Sequence, residues 1–330
     1  MNLRPARLVT PDAGLKERLG RDRKELLARR HATGSASHEH QTTSVRTNDT
    51  YVRVLVDRDA PDRMRRLFKG IERFKGVAVY IHGSWADATR TPFSDLDDLV
   101  IVDLGGGMSR RDLWSLERVL NRIDLRFARL DPLQHHGHWI VESGDWHTPY
   151  DESFMPLVVL HGAMRLQGPT SIAYAVDNTA TRRGLSRNIE LSCQAIEELY
   201  SSYRSGSVNT YDAKRLIGSI LLMPAYVFQS RGERVPKREA ILRADEVYSD
   251  DARRAINWAS AVRQEWELAL RDRRFLLWRV LARLVWSPKL YRELISRYAP
   301  TFPWAEFDQL QQSALNSFVS ESRGVIPSAK

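Results

Sequence analysis

Two β-rich runs with a polar loop between them set the strongest constraint on how this chain can fold. Residues 77–81 read VAVYI and residues 96–102 read LDDLVIV, and runs of this kind are typical of buried strands. The loop ends at Asp95 and Asp97, which lead directly into the second run. An unpaired carboxylate is costly at the edge of an apolar core. The pattern therefore predicts that the carboxylates of Asp95 and Asp97 belong to a functional site.

The spacing of the two acids indicates what that site holds. Side chains two residues apart on a strand share a face, at a separation of about 6–7 Å, so Asp95 and Asp97 project together while Leu96 turns inward. The two carboxylates repel each other unless a cation lies between them. Oxygen ligands of high charge suit Mg²⁺ or Mn²⁺ better than zinc. We therefore expect Asp95 and Asp97 to bind one of these metals.

The start of the loop has the features of an anion site. Gly83 has no side chain and lets a phosphate approach the backbone, and Ser84 offers a hydroxyl and an N–H group. The residues that follow can begin a short helix, whose first amides favour negative charge. Arg90 and Ser94 are further candidate contacts in the loop. A nucleoside triphosphate (NTP), such as ATP, with bound Mg²⁺ fits between the anion donors and the acids.

This arrangement of strand, Gly83-Ser84, a ten-residue loop and Asp95-Leu96-Asp97 resembles the DNA polymerase beta-like nucleotidyltransferase superfamily. The helical C-terminal half is loosely similar to the substrate domain of kanamycin-type nucleotidyltransferases. The resemblance implies transfer of a nucleoside monophosphate (NMP) from an NTP to an acceptor hydroxyl, with release of pyrophosphate. It also implies that Asp95 and Asp97 hold two ions, one at the acceptor oxygen and one on the triphosphate.

The sequence departs from the family pattern at two positions. Many members carry an arginine shortly after Gly-Ser, where this chain has Asp87, so that phosphate contact is either missing or moved to Arg90. Asp98 stands where an apolar residue is common. Because side chains alternate between the two faces of a strand, Asp98 lies on the face opposite Asp95 and Asp97. We interpret it as a buried partner for a basic group or as an edge residue.

A third catalytic group is harder to assign. The family places a carboxylate on the next strand, as general base or metal ligand. Asp124 resembles that position in isolation, but helical periodicity over residues 113–130 places it on a helix surface. On a strand predicted near residues 138–142, His136, His138 and Glu142 share parity.

We choose His136 as the third group, because a neutral imidazole can accept the proton of the acceptor. Another interpretation stays open, in which these histidines cap backbone groups of a turn. A zinc site is less expected, since no thiolates accompany the histidines.

The remaining pattern predicts an α+β fold, with a small mixed nucleotidyltransferase sheet, flanking helices and a following α-helical bundle. The domains are a flexible basic extension (1–50, with a helix over 15–30), a nucleotidyltransferase domain (51–150) and a helical substrate or acceptor domain (151–330). In the last, Lys214 or Lys237 could reach phosphate. Its helices are predicted over residues 151–166, 182–204, 211–230, 236–247, 251–270, 272–285, 287–298 and 304–320.

Composition restricts the cellular compartment and the binding partners that we expect for this chain. Cys193 is the single cysteine, which excludes an intrachain disulfide and favours a reducing, cytoplasmic location. We find neither an export signal nor a membrane span, and expect no membrane partner. The net charge of +9 favours an anionic acceptor such as RNA and disfavours a cationic aminoglycoside. A small molecule or a protein remains a candidate acceptor. The alternatives are a nucleotide-sensing regulatory module and a toxin or phage-defence transferase.

Overall fold

The computed structural model describes residues 49–104, 108–146 and 149–326. The predicted basic helix over residues 15–30 lies outside this part of the chain, as does nearly all of the predicted flexible extension.

A four-stranded mixed sheet carries the polar loop. Its strands are β2 (Val77–His82), β3 (Asp97–Val102), β4 (Trp139–Glu142) and β5 (Met164–Gln167), in the order β4-β3-β2-β5. Strand β2 runs antiparallel to β3 and β5, whereas β4 runs parallel to β3. The apolar residues of β2 and β3 are buried except for the half-buried Ala78, as their β-rich sequences predict. A separate antiparallel ribbon pairs β1 (Asp49–Leu55) with β6 (Ser171–Asp177).

The crossover between β3 and β4 is the long helix α2 (Arg110–Leu130), which follows the short helix α1 (Asp62–Leu67). A reciprocal capping box between Ser109 and Asp112 begins α2. Its apolar face packs against the sheet, because residues at spacings of three and four share one side of a helix.

The helical half follows β6. Its helices are α3 (Asn178–Arg204), α4 (Thr210–Ser230), α5 (Lys237–Leu242), α6 (Asp250–Gln264), α7 (Arg274–Leu284), α8 (Pro288–Tyr298) and α9 (Gln312–Gly324). They surround a core that includes Trp266 and the thiol of Cys193. The predicted fold class, a small mixed sheet followed by a helical bundle, is confirmed. Within the residues described, no helix is both long and apolar enough to cross a bilayer.

The helix predicted over residues 151–166 is wrong. A 3₁₀ turn (Leu157–Leu160) and strand β5 occupy this stretch. Pro156 precedes the turn, and Gly162, at φ +78°, redirects the chain into pairing with β2, so tertiary pairing overrides the helical spacing. Strand β6 is an element that the sequence pattern did not predict. The domain division at residue 150 stays a prediction, and both β5 and β6 lie beyond it.

The polar loop packs against the helical half. The ring of Phe93 meets that of Trp266 edge-on, with 4.9 Å between the centroids. Leu133, just after α2, belongs to the same core. The acids therefore lie where the sheet and the helices meet.

Candidate functional site

Strand β2 ends in a tight turn beside Asp97. His82 pairs with Asp97 in the β2–β3 register, and Gly83 then takes a left-handed conformation at φ +67°. A Cβ atom on Gly83 would lie 3.2 Å from Asp97 Oδ2. Ser84 follows in a 3₁₀ turn, Gly83–Trp85. The Gly-Ser turn and the second acid are thus adjacent, which is the juxtaposition that the sequence predicts.

The first acid, Asp95, is bound to a lysine of the helical half. Lys214 Nζ lies 2.6 Å from Asp95 Oδ1 and 2.5 Å from Asp131 Oδ2. Lys214 is only 2% exposed. Burial acts to lower the pKa of Lys214, but the two carboxylates outweigh it and raise that pKa. Likewise, burial acts to raise the pKa of Asp95, and Lys214 with the two nearby histidines lowers it to about 2.

The second acid, Asp97, has no ion pair of this kind. Its carboxylate has no hydrogen-bond or salt-bridge partner among the described residues. Burial raises the pKa of Asp97 to about 6, with His136 and Lys237 opposing the rise and the other acids adding to it. Asp97 is therefore a desolvated carboxylate without a cationic side chain paired to it in the described part of the chain.

Two histidines face Asp95. His135 Nδ1 and His136 Nε2 each lie 3.9 Å from Asp95 Oδ2. The His135 ring is fixed, because its Nε2 donates to the carbonyl of Tyr211 at 3.0 Å, and burial lowers its pKa to about 3. The His136 side chain is 45% exposed, so it lies beside the acids and remains open to solvent. His136, our choice of third group, thus lies at the site.

His138 lies in a different environment. Its Nδ1 donates to Asp98 Oδ2 at 2.7 Å and its Nε2 donates to the carbonyl of Leu120 at 2.9 Å. Burial acts to lower the pKa of His138, but Asp98 outweighs it and raises the pKa to about 9. Asp98 is thus the buried partner of a basic group, one of the two interpretations of its sequence position.

The remaining candidates for the third group lie away from Asp95. Asp124 is on α2, as predicted, but it is buried and pairs with Arg292 at 2.7 Å, so its placement on a helix surface is wrong. Glu142 pairs with Val102 in the β3–β4 register, about 16 Å along the strand from the position of Asp97.

The other predicted phosphate contacts differ in their surroundings. Arg90 is exposed and stacks on Trp85, with its Cζ 3.9 Å from the ring centroid. Ser94 is buried, and its hydroxyl accepts from the backbone N–H of Thr91, so it orders the loop. Lys237, at the start of α5, lies within electrostatic range of the acids. Burial and Arg263 lower its pKa to about 8, while Asp97 and Asp95 oppose the fall.

Sequence reasoning missed Asp131 and His135 as parts of this site. Asp131 comes directly after the helical periodicity of residues 113–130. The signal available was its place in a polar stretch, DPLQHHGH, directly after a long amphipathic helix.

The oxygens that remain at the site suit a magnesium ion. Asp95 Oδ2 and both oxygens of Asp97 accept no hydrogen bond within the described part of the chain. Mg²⁺ is commonly held by one or two carboxylates together with substrate phosphates. The described residues contain no cluster of three His, Cys, Asp or Glu that could hold a metal alone. The two acids therefore fit one Mg²⁺ shared with a substrate, and the Lys214 ammonium is the cation at Asp95 Oδ1.

Comparison with known proteins gives one distant likeness. No protein-family model and no curated protein matches the chain. A solved structure of spectinomycin adenyltransferase AAD(9) from Enterococcus faecialis, with ATP and spectinomycin, is similar at 14% identity and a TM-score of 0.37. The match covers 67% of this chain and 95% of that one. This is a distant likeness of chain trace alone.

Proposed function

We propose that this chain is a metal-dependent nucleotidyltransferase, which moves an NMP from an NTP such as ATP to an acceptor hydroxyl. The observation that supports this most strongly is the contact geometry of Gly83 and Asp97, since it sets the Gly-Ser turn directly beside a carboxylate that has no hydrogen-bond or ion-pair partner among the described residues. Such pairing of anion donors and cation ligands suits an NTP with bound Mg²⁺.

Each element has a role in this proposal. The Gly83–Ser84 turn receives the triphosphate, and Lys237 neutralises phosphate charge from the helical side. Asp95 and Asp97 hold Mg²⁺, which supplies Lewis-acid stabilisation of the charge on the reacting phosphate. Lys214 holds Asp131 and Asp95 Oδ1, which leaves Asp95 Oδ2 for the metal.

His136 is the proposed general base. It accepts the proton of the acceptor hydroxyl as the acceptor oxygen bonds to the α-phosphorus. The bond from that phosphorus to the bridging oxygen of the β-phosphate breaks, and pyrophosphate leaves with the electron pair. The exposure of His136 leaves room for an acceptor beside Asp95.

A second candidate is a nucleotide-sensing module without turnover. The observation that favours it is the 2.6 Å contact of Lys214 with Asp95, because an ammonium already neutralises that acid. In this case ATP binds but no product forms.

The deciding experiment uses the full chain. Incubation with each α-labelled NTP, Mg²⁺ or Mn²⁺ and cell extract should transfer label to RNA, protein or a small molecule. Asp97→Asn should abolish transfer, while the matched exposed variant Asp57→Asn should retain it. Labelling that survives Asp97→Asn would refute the proposal. Saturable ATP binding with no labelled product under any condition would instead identify the sensing module.

A further inference from the structure

Helix α2 carries a row of arginines along one side. Arg118, Arg122, Arg126 and Arg129 follow at spacings of four, four and three, which places them on one face of the helix. Arg73, from the turn after α1, lies beside them, since its Nη2 donates to Ser115 Oγ at 2.9 Å. We call these five residues the arginine row.

The end of the row formed by Arg73, Arg118 and Arg122 borders a small cavity. Its volume is about 170 Å³, and its lining consists of Arg73, Ser115, Arg118, Val119 and Arg122. All three of these arginines are exposed. A concave space lined by three arginines and a serine suits a phosphate group, because the planar guanidinium matches phosphate oxygens in pairs.

No carboxylate forms an ion pair with the row within the described residues. The polar contacts of its members go to neutral oxygens: Arg126 donates to the carbonyls of Leu67 and Lys69, and Arg129 to that of Ala282. Burial lowers the pKa of Arg126, and so do Arg129 and Arg122, against a smaller opposing effect of Glu72. By contrast, Arg243 and Arg323 each pair with glutamates. The row therefore has an excess of positive charge.

The row leads to the candidate site. From Arg118 to Arg129 the helix rises about 16 Å, which is longer than one phosphate group and matches a chain of them. Asp131 follows α2 directly and holds Lys214, which in turn contacts Asp95. The row therefore ends two residues before Asp131, which shares its lysine with Asp95.

We infer that the arginine row binds the phosphate backbone of an RNA strand, whose terminal hydroxyl is the acceptor at the site. This inference rests on the proposed function for the acceptor role, but the binding itself does not need catalysis. The placement of four arginines along one face of α2 and their lack of carboxylate ion pairs favour a repeating phosphate chain over a single small anion.

Binding of fluorescein-labelled single-stranded RNA tests the row, in the full chain and without NTP or metal. Replacing Arg73, Arg118 and Arg122 together by alanine should weaken binding at least about tenfold at low ionic strength. The slope of log affinity against log salt should fall by about 2, since three phosphate contacts are lost. The matched triple variant Arg182→Ala, Arg183→Ala and Arg187→Ala removes the same charge from the exposed side of α3 and should change affinity less than twofold.

Lysine variants at the three positions of the row control for folding and should keep most of the salt-dependent binding. Equal losses in the two alanine triples would overturn the inference, because net charge alone would then explain binding. Competition by poly-glutamate as strong as that by RNA would instead indicate an acidic protein partner. In the unmutated chain, RNA binding that depends on the arginine row but gives no labelled product with any NTP would refute only the proposed function.

Discussion

Lys214 of α4 and Asp95 of the polar loop lie 2.6 Å apart, although 119 residues separate them in the chain. The same ammonium binds Asp131, so a single buried cation serves two carboxylates. This contact ties the helical half to the acidic loop and sets the charge of the candidate site.

Lys214→Met should destabilise the fold by about 3–5 kcal/mol, because it leaves two buried carboxylates without their cation. Chemical denaturation measures the loss. Lys289→Met, at an exposed position on α8, should change the free energy of unfolding by less than about 0.5 kcal/mol. A Lys214→Met variant as stable as that control would show that the pair is not needed for folding.

Metal binding should strengthen as pH rises through about 6. A proton and a cation compete for Asp97, whose pKa in the folded chain is about 6. Its ordinary value is about 3.9, so the metal-free fold also loses stability as pH rises from about 4 to about 6. Mn²⁺ titration followed by electron paramagnetic resonance tests the first effect. Asp97→Asn should remove most of the pH dependence and Asp57→Asn should not.

The His138–Asp98 pair should make stability fall at alkaline pH. The pKa of His138 is raised to about 9 from an ordinary value of about 6.5. The folded chain holds this proton more tightly than the unfolded chain does, so the stabilisation is complete below about pH 6.5 and is lost as pH rises through about 9. Urea unfolding across this range should show the loss, and His138→Gln should flatten it. His161→Gln, at an exposed position, should leave the curve as it is.

Gly83→Ala should affect both stability and the site. The left-handed conformation costs a non-glycine residue roughly 1–2 kcal/mol, and the new Cβ meets Asp97 Oδ2 at 3.2 Å. Gly206 offers a matched control, since it has φ +69° but no atom within 4 Å of the added Cβ. Both variants should lose similar stability in thermal unfolding, whereas only Gly83→Ala should weaken Mn²⁺ and ATP binding. If the two variants bound Mn²⁺ and ATP equally well, the predicted effect of the added Cβ on Asp97 would be wrong.

His136→Ala should slow NMP transfer by about a hundredfold or more while ATP affinity stays near its original value. The reason is that the base acts on the acceptor and not on the nucleotide. Single-turnover rates with labelled ATP measure the effect, with His161→Ala as the control. A loss below about tenfold would favour the interpretation of His136 as a turn residue.

Much of the fold and part of the site follow from local sequence. The strands on either side of the polar loop and the helix α2 match their patterns, because alternating and helical periodicities are local properties. The adjacency of Gly83 and Asp97 follows from the antiparallel pairing of two such strands.

The contacts that were missed depend on distant parts of the chain. Strand β5 forms because β2 offers it an edge, which the spacing within residues 151–166 does not reveal. The binding of Lys214 to Asp95 and Asp131 depends on how α4 packs against the loop. Asp124 has a helical spacing, as expected, but its burial results from Arg292 on α8.

The lysines within electrostatic range of the acids, Lys214 and Lys237, both come from the helical half, whereas the acids and the Gly-Ser turn come from the sheet. An isolated fragment ending after β6 would hold three carboxylates in proximity with neither ammonium to offset them, and would repel a triphosphate. Nucleotide binding would then require the whole chain to be folded. A truncated or partly folded molecule would keep the negative charge of the acids and would not bind the triphosphate.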